Sequence, residues 1–123
     1  METPVKDRRP PVYNAARQLY LQLVQSTQKC PINIKRGKLA QIELKIQAVM
    51  EDTAFANAQI DNPQARLKWL SAALEKMEEV CVSIRVIHDL HYITPKGFNA
   101  LTNKEDHVLK QLKAWQRSTL NNA

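Results

Sequence analysis

The residues of this chain that are best suited to chemistry lie in one stretch, VCVSIRVIHDLHYITPKGF, at positions 80–98. It contains a thiol, Cys81, and two imidazoles, His88 and His91, on one face of a helix. Thiolates and imidazoles are ligands that zinc prefers, and a thiol beside a base can act as a nucleophile. The stretch therefore raises two chemical hypotheses, a metal site and a cysteine-centred catalytic site.

The position of these side chains weakens both hypotheses. They belong to an apolar seam that also contains Met77 and Ile84, whereas a reactive thiolate needs an accessible position. The sequence contains no second Cys/His cluster and no HExxH, CxxC, GxSxG or Walker pattern. We therefore predict a protein that is not an enzyme and has no metal and no cofactor. A small metal-dependent enzyme is the alternative, and elemental analysis for zinc would detect it.

Arg85 is a charged residue beside this seam. Asp89 follows one helical turn later, and Glu105 occupies a seam position on the returning helix. We expect Arg85 to pair with Asp89 or Glu105 in a partly desolvated setting, because such a pair fixes helix register more than it adds stability. These three residues are the predicted register or assembly site. The prediction requires a carboxylate oxygen within about 4 Å of the guanidinium group.

The elements that must position these groups are four amphipathic helices. Apolar residues recur at spacings of three and four in four segments, 12–28, 39–58, 63–91 and 95–118. Only two glycines occur, which argues against β-hairpins and phosphate-cradling loops. The predicted fold class is all-α, an up-down-up-down four-helix bundle over residues 12–118. We expect residues 1–11 to form a flexible N-terminal arm and residues 119–123 a frayed C-terminus.

The seams and the helix starts can also be predicted. In the third segment the seam residues are Leu67, Leu70, Leu74, Met77, Cys81, Ile84, His88 and His91. The stripe of the second segment begins at Leu39 and ends at Phe55 or Ala56. Asn62 and Thr94 are the predicted N-caps of the third and fourth helices, since each precedes a proline that suits the first helical position.

The balance of charge suggests a polyanionic partner. The formal net charge is +6 and the pI is about 9.5. The predicted phosphate contacts form two groups, Lys35, Arg36, Lys38 and Lys45 around the start of the second helix, and Lys110, Lys113 and Arg117 on the fourth. No motif that reads base edges is present, so binding would depend on charge and shape. An ordinary solubilising surface is the alternative, and the stripes alone leave both interpretations open.

Cysteine usage and hydropathy indicate the compartment. Cys30 and Cys81 are far apart in sequence, and no apolar signal sequence precedes them. Free thiols in a reducing cytoplasm are the simplest interpretation, so we expect a cytoplasmic protein. No apolar run approaches the roughly 18 residues that a membrane span needs, and we expect no membrane partner.

Two stretches of the sequence match a known pattern. They are IRVIHDLHYITPKGF…VLKQLKAW, through Arg85, His88-Asp89-Leu90, Tyr92-Ile93-Thr94, Phe98 and Trp115, and CPINIKRGKLAQI, through Ala40-Gln41-Ile42. Together they resemble the accessory variability determinant proteins of diversity-generating retroelements, over about residues 12–117. The chain departs from that pattern at Lys113-Ala114, where those proteins usually have Gly-Gly.

The resemblance implies a role and partners. Proteins of that family are non-catalytic helical bundles that form a pentameric ring with a basic surface. They bind the element's reverse transcriptase and its template-region RNA, and so support mutagenic cDNA synthesis. The related rRNA-intervening-sequence proteins share the bundle, but Pro31-Ile32-Asn33-Ile34 matches only part of their Ser-Ile-Pro-x-Asn-Ile-Ala-Glu-Gly stretch. An RNA-associated bundle of that second kind, or a helix-packing adaptor that binds no nucleic acid, remains the alternative.

Overall fold

The computed structural model describes residues 9–122 and consists of four long helices. They are α1 (Pro11–Ser26), α2 (Ala40–Ala58), α3 (Pro63–Asp89) and α4 (Pro95–Asn121). Each helix packs against two neighbours around a ring, α1 on α2, α2 on α3, α3 on α4 and α4 on α1, while the Cα atoms of the diagonal pairs stay more than 8 Å apart. The predicted all-α four-helix bundle is therefore confirmed, and residues 9–122 contain no strand.

The two predicted N-caps are confirmed. The side-chain oxygen of Asn62 accepts a hydrogen bond from the Ala65 amide at 3.0 Å, and the Thr94 hydroxyl accepts one from the Gly97 amide at 3.0 Å. In each case a proline follows the cap, where its missing N–H leaves no helical hydrogen bond unmade. These caps set the first residues of α3 and α4, and thereby the register between the two longest helices.

The entry to α2 differs from the prediction that helix resumes at Leu39. Helical structure begins with a short turn, Ile32–Ile34, and continues through a π-helical turn, Lys35–Leu39, directly into α2. The wider turn has a packing reason. Leu39 lies five positions after Ile34. On an α-helix with 3.6 residues per turn, their side chains would point to different sides of the helix. Here Leu39 is buried and Ile34 packs against the core.

One apolar stripe from each helix builds the core. The predicted stripes of α1, α2 and α4 are confirmed at their buried members. These are Val12, Ala16, Leu19 and Leu23 in α1; Leu39, Ile42, Ile46, Val49 and Ala56 in α2 and the turn before it; and Leu101, Val108 and Leu112 in α4. In α2 the stripe ends on Ala56, and Phe55 is 49% exposed. None of the helices within residues 9–122 combines the length and the apolar character needed to cross a bilayer.

The buried seam of α3 matches the predicted one at every second position and lies one residue earlier at the others. Its fully buried residues are Leu70, Ala73, Met77, Val80, Ile84 and Ile87. The prediction shares alternate members but chose the next residue for the others, and Leu74, Cys81 and His88 are only half-buried. Both patterns alternate spacings of three and four, so periodicity alone does not separate them. His91 is exposed beyond the helix end, with a φ of 66°.

Both ends of the bundle extend beyond the predicted bounds. α1 begins at Pro11, and the Arg9 guanidinium lies 4.9 Å from the ring centroid of Tyr13. Residues 1–8 of the predicted arm lie outside the described part of the chain. α4 continues to Asn121 and Thr119 is buried, so the predicted frayed end at residues 119–123 is wrong for its first three residues.

Candidate nucleic-acid interface

The predicted cations of α4 form an open stripe. Lys110, Lys113 and Arg117 are exposed, and their spacings of three and four place them along one side of the helix. None of them has a carboxylate oxygen within ion-pair distance among residues 9–122, although Asp106 lies one turn before Lys110. Cβ atoms at such spacings are about 5–6 Å apart, so the three charges can contact a polyanion side by side.

The predicted cations around the start of α2 are only partly free. Arg36 and Lys38 are exposed in the π-helical turn. The Lys35 ammonium donates to a backbone carbonyl of the preceding loop, and Lys45 forms an ion pair with Glu79 of α3. An exposed pair of this kind contributes at most about 1 kcal/mol, but the carboxylate neutralises the positive charge of Lys45 at that point of the surface. Arg36 and Lys38 are the members of this group that can meet a phosphate freely.

The two basic groups lie on opposite sides of the molecule. One belongs to α2 and its entry and the other to α4, and these two helices are a diagonal pair whose Cα atoms stay more than 8 Å apart. They also lie at different heights along the bundle. In the up-down order of helices, α2 and α4 both begin at the same end, whereas Lys110 is about 22 Å along α4 from Pro95 at 1.5 Å per residue. A single copy of the chain therefore cannot present both groups on one continuous surface.

Arg85, Asp89 and Glu105 come together without the predicted ion pair. With Cys81 and Phe98 they line one cavity of about 250 Å³ between α3 and α4. No carboxylate oxygen within the described chain lies within 4.0 Å of the Arg85 guanidinium, so the predicted pairing is wrong. The guanidinium lies 5.6 Å from the ring centroid of Phe98 instead. Arg85 is exposed and keeps its hydration there, which a move towards the buried Glu105 would remove.

Glu105 is the buried acid of this cavity. It is 7% exposed, and its Oε2 atom has no hydrogen-bond partner within residues 9–122. Burial raises the pKa of Glu105 to about 7, against the opposing effect of a hydrogen bond from the Cys81 thiol. Burial and, after it, the charge of Glu105 raise the pKa of Cys81 to about 12. The thiol therefore stays protonated near neutral pH and is a poor nucleophile.

The thiol and imidazoles that raised the metal hypothesis do not converge. Cys81 lies in the cavity between α3 and α4, whereas the His88 ring stacks on Phe98 with their centroids 4.0 Å apart. His91 is exposed beyond the end of α3. In the part of the chain that the structure describes, no three Cys, His, Asp or Glu side chains are grouped as a metal ion would require.

Two cations outside the predicted stripes meet at the end of the bundle where α2 ends and α3 begins. Arg9, which precedes α1, and Arg66, in the first turn of α3, line one cavity together with Trp115 of α4. The prediction missed them because it sought cations at helical spacing along one segment. These groups come from three separate elements, and only the cap at Asn62 hinted that Arg66 lies at a helix start.

Comparison with known proteins assigns no family to this site. A scan against protein-family models finds none that matches the chain, and a search of curated proteins finds no match. What this surface can bind is therefore inferred from the residues of this chain alone. The stripe of Lys110, Lys113 and Arg117 is the feature best suited to bind a polyanion, because all three cations are exposed and form no ion pair with any residue that the structure describes.

Proposed function

We propose that this chain is a non-enzymatic accessory protein of a diversity-generating retroelement, which binds the reverse transcriptase and its template RNA and supports mutagenic cDNA synthesis. The observation that carries the RNA-binding part is the free α4 stripe, Lys110, Lys113 and Arg117, on a chain with a net charge of +6. The retroelement part depends on the resemblance to accessory variability determinant proteins over about residues 12–117. The raised pKa of Cys81, which keeps the thiol protonated near neutral pH, supports the non-enzymatic part of the proposal.

Binding of this kind is electrostatic. Each phosphate that a cation neutralises releases counterions, so log affinity falls with log salt concentration by about 0.7 per contact on a single strand. Three contacts from the α4 stripe therefore predict a slope of about −2. Arg36 and Lys38, on the opposite side of the bundle, add to this slope when the RNA passes around the protein or when a second copy presents them.

Charge-reversal variants of equal total charge test the interface. The three variants are Lys110/Lys113/Arg117→Glu on α4, Lys35/Arg36/Lys38→Glu at the entry to α2, and Lys68/Lys96/Lys104→Glu as the matched control outside both groups. The α4 variant should stay helical by circular dichroism and lose about tenfold or more in RNA affinity at physiological salt, with a salt slope lower by about 2. Equal losses in all three variants would mean that net charge alone matters, and would remove the α4 stripe from the site.

The retroelement assignment has its own test. If a reverse transcriptase gene lies beside the gene for this chain, co-expression should yield a complex of the two proteins that retains template-region RNA. RNA binding without a reverse transcriptase complex would favour instead an RNA-associated bundle like the rRNA-intervening-sequence proteins.

Two opposite faces support self-assembly into a ring, which is pentameric by resemblance. The outer side of α1 carries Arg17 and the exposed Leu21, and the outer side of α3 carries Glu78 with the exposed Val82 and Val86. Because α1 and α3 are a diagonal pair, the basic face of one copy can meet the acidic face of the next, and such head-to-tail contacts close into rings. Val82→Arg should shift the protein to monomer in sedimentation, and a wild-type monomer would contradict the assembly.

A helix-packing adaptor is a second candidate, and one observation favours it. Val82, Val86 and Leu90 recur every four residues along α3 and are 65%, 37% and 53% exposed, a row that a partner helix could cover. A flat titration against RNA together with tight binding to a protein partner would support this function. In either case we place the protein in the cytoplasm, because Cys30 and Cys81 are free thiols.

A further inference from the structure

The cavity at the end of the bundle is lined by cations, and no acidic residue among residues 9–122 lines it. It measures about 470 Å³ and lies between Arg9, Arg66 and Trp115. The other lining residues are apolar or uncharged, namely Pro10, Pro11, Val12, Asn57, Gln111 and Ala114. Two guanidinium groups, with no carboxylate from the described part of the chain in the wall, create a positive potential, and the volume suits a small ligand. The cavity is therefore built for an anionic group with an apolar part.

A guanidinium is fixed over the face of an aromatic ring in this cavity. The Arg66 guanidinium lies 5.4 Å from the Trp115 ring centroid, and it donates to the carbonyl oxygens of Ala56 and Asn57 at 2.9 and 3.4 Å. These carbonyls belong to the last turn of α2, where helical hydrogen bonds run out. The cation and the ring are thus held in place before any ligand arrives, which reduces the entropy that binding must lose. A nucleotide presents the matching pair, a phosphate beside a flat base.

Gln111 adds an unmet hydrogen bond to the cavity wall. Its Nε2 atom lies 3.0 Å from Nε2 of His107, whereas its Oε1 atom is buried and has no partner within residues 9–122. A buried acceptor without a donor costs about 1–3 kcal/mol. An exocyclic amino group on a nucleobase can donate a hydrogen bond to this oxygen after a small rotation of the amide. A phosphate group, which accepts hydrogen bonds, cannot.

The cavity shares an edge with the basic stripe of α4. Ala114 lines the cavity and lies one helical turn after Lys110, so the two residues are neighbours on the helix surface. A strand whose phosphates follow Lys110, Lys113 and Arg117 can therefore reach the cavity with an adjacent nucleotide. The stripe and the cavity suit different parts of a nucleic acid. The stripe suits any phosphate backbone, whereas the cavity suits a base that is not paired.

We infer that this cavity binds one nucleotide of single-stranded RNA, with the base against Trp115 and the phosphate on Arg9 and Arg66. The inference rests on the proposed RNA-binding function and adds to it a preference for unpaired nucleotides. A base inside a duplex cannot stack on a protein ring, whereas a base in a loop or at a strand end can.

Tryptophan fluorescence of the full chain tests the inference. A Trp69→Phe variant leaves Trp115 as the sole tryptophan, since the chain has two. A single-stranded adenosine hexamer should quench its emission, whereas a stable blunt-ended RNA duplex should bind the stripe and leave the emission unchanged. Trp115→Leu should weaken binding of the hexamer about tenfold and leave the affinity for the duplex unchanged.

A second variant guards against a folding defect in Trp115→Leu. Arg9 precedes α1 and is exposed, so Arg9→Gln should fold normally and still weaken hexamer binding about fivefold. Lys96→Gln, an exposed cation at the other end of the bundle, is the matched control and should have less effect. If hexamer and duplex bind alike and neither cavity variant changes affinity, while the α4 charge reversal still abolishes binding, the cavity inference is overturned and the proposed function stands. If wild-type protein binds neither RNA, both fail together.

Discussion

Helix α3 faces a buried carboxylate on each of its two sides, and the two are accommodated differently. On the α2 side, Asp52 is 4% exposed and accepts a hydrogen bond from the Lys76 ammonium at 2.6 Å. On the α4 side, Glu105 is 7% exposed, interacts with the Cys81 thiol, and has an Oε2 atom without a partner in the described chain. Nearly equal burial therefore produces an ion pair on one side and none on the other.

The difference shows that a buried carboxylate needs either a cation or a proton. The Lys76 side chain is 34% exposed, so the pair with Asp52 retains contact with water at one end while its apolar stem packs. Arg85 offers no such pair to Glu105, because its guanidinium stays over Phe98. Burial consequently raises the pKa of Glu105 to about 7, and that side of α3 changes its charge near neutral pH.

Removing the cation on the α2 side should have the largest effect. Lys76→Met keeps most of the apolar stem but leaves Asp52 buried without its partner, so the free energy of unfolding should fall by about 4 kcal/mol. Urea denaturation at neutral pH measures the loss. The matched control is Lys45→Met, which breaks the exposed pair with Glu79 and should cost under about 1 kcal/mol. Equal losses in the two variants would show that burial does not distinguish these pairs.

The α4 side should make stability depend on pH. The pKa of Glu105 rises from 4.5 to about 7 on folding, so the folded state holds this proton more tightly than the unfolded state. Its contribution is therefore complete below about pH 4.5 and is lost as pH rises towards about 7, with a total loss of about 3 kcal/mol.

Glu105→Gln isolates this contribution. The variant should match the wild type near the acid end of the window and exceed its unfolding free energy by about 3 kcal/mol above about pH 7.5, because glutamine has no charge to bury. Denaturation midpoints across the window give the difference curve. Glu51→Gln, at an exposed position on α2, should reproduce the wild-type curve. A difference curve that stays flat for Glu105→Gln would mean that the carboxylate is already ionised throughout.

Cys81 should report the same carboxylate through its reactivity. Burial is the largest cause of its raised pKa and the charge of Glu105 is the next. Glu105→Gln removes the second cause, so alkylation of Cys81 by iodoacetamide at mildly alkaline pH should accelerate about tenfold, which corresponds to one pKa unit. A Cys30→Ser background leaves one thiol to follow, since the chain has two. No acceleration would show that burial alone protects the thiol.

Sequence spacing predicts where these carboxylates lie but not what they bind. Glu105 interrupts an apolar stripe, so its burial follows from helical periodicity. The pair of Asp52 and Lys76 joins two helices across 24 residues, and it depends on how α3 is rotated. Spacing left that rotation ambiguous, because Ala73 and Val80 fit the seam as well as their neighbours Leu74 and Cys81 do.

The candidate site divides in the same way. The exposure of Lys110, Lys113 and Arg117 follows from the apolar stripe on the other side of α4, and the prediction placed them correctly on one surface. That the α2 cations lie on the opposite side of the molecule follows only from the order of helices around the ring. The cavity of Arg9, Arg66 and Trp115 is likewise beyond helical spacing, since three elements must meet to form it.

The smallest effect should come from the cation that failed to pair. At about pH 5, where Glu105 is protonated, Arg85→Met removes only an attraction to the Phe98 ring. The free energy of unfolding should therefore fall by about 0.5 kcal/mol. The charge of Arg85 also lowers the pKa of Glu105, and this attraction exists only when Glu105 is ionised. The cost should therefore grow as pH rises through about 7, and the growth should vanish in a Glu105→Gln background, as a double-mutant cycle would measure. A loss as large as that of Lys76→Met would mean that Arg85 pairs with the buried acid in solution, and the two sides of α3 would then follow one rule.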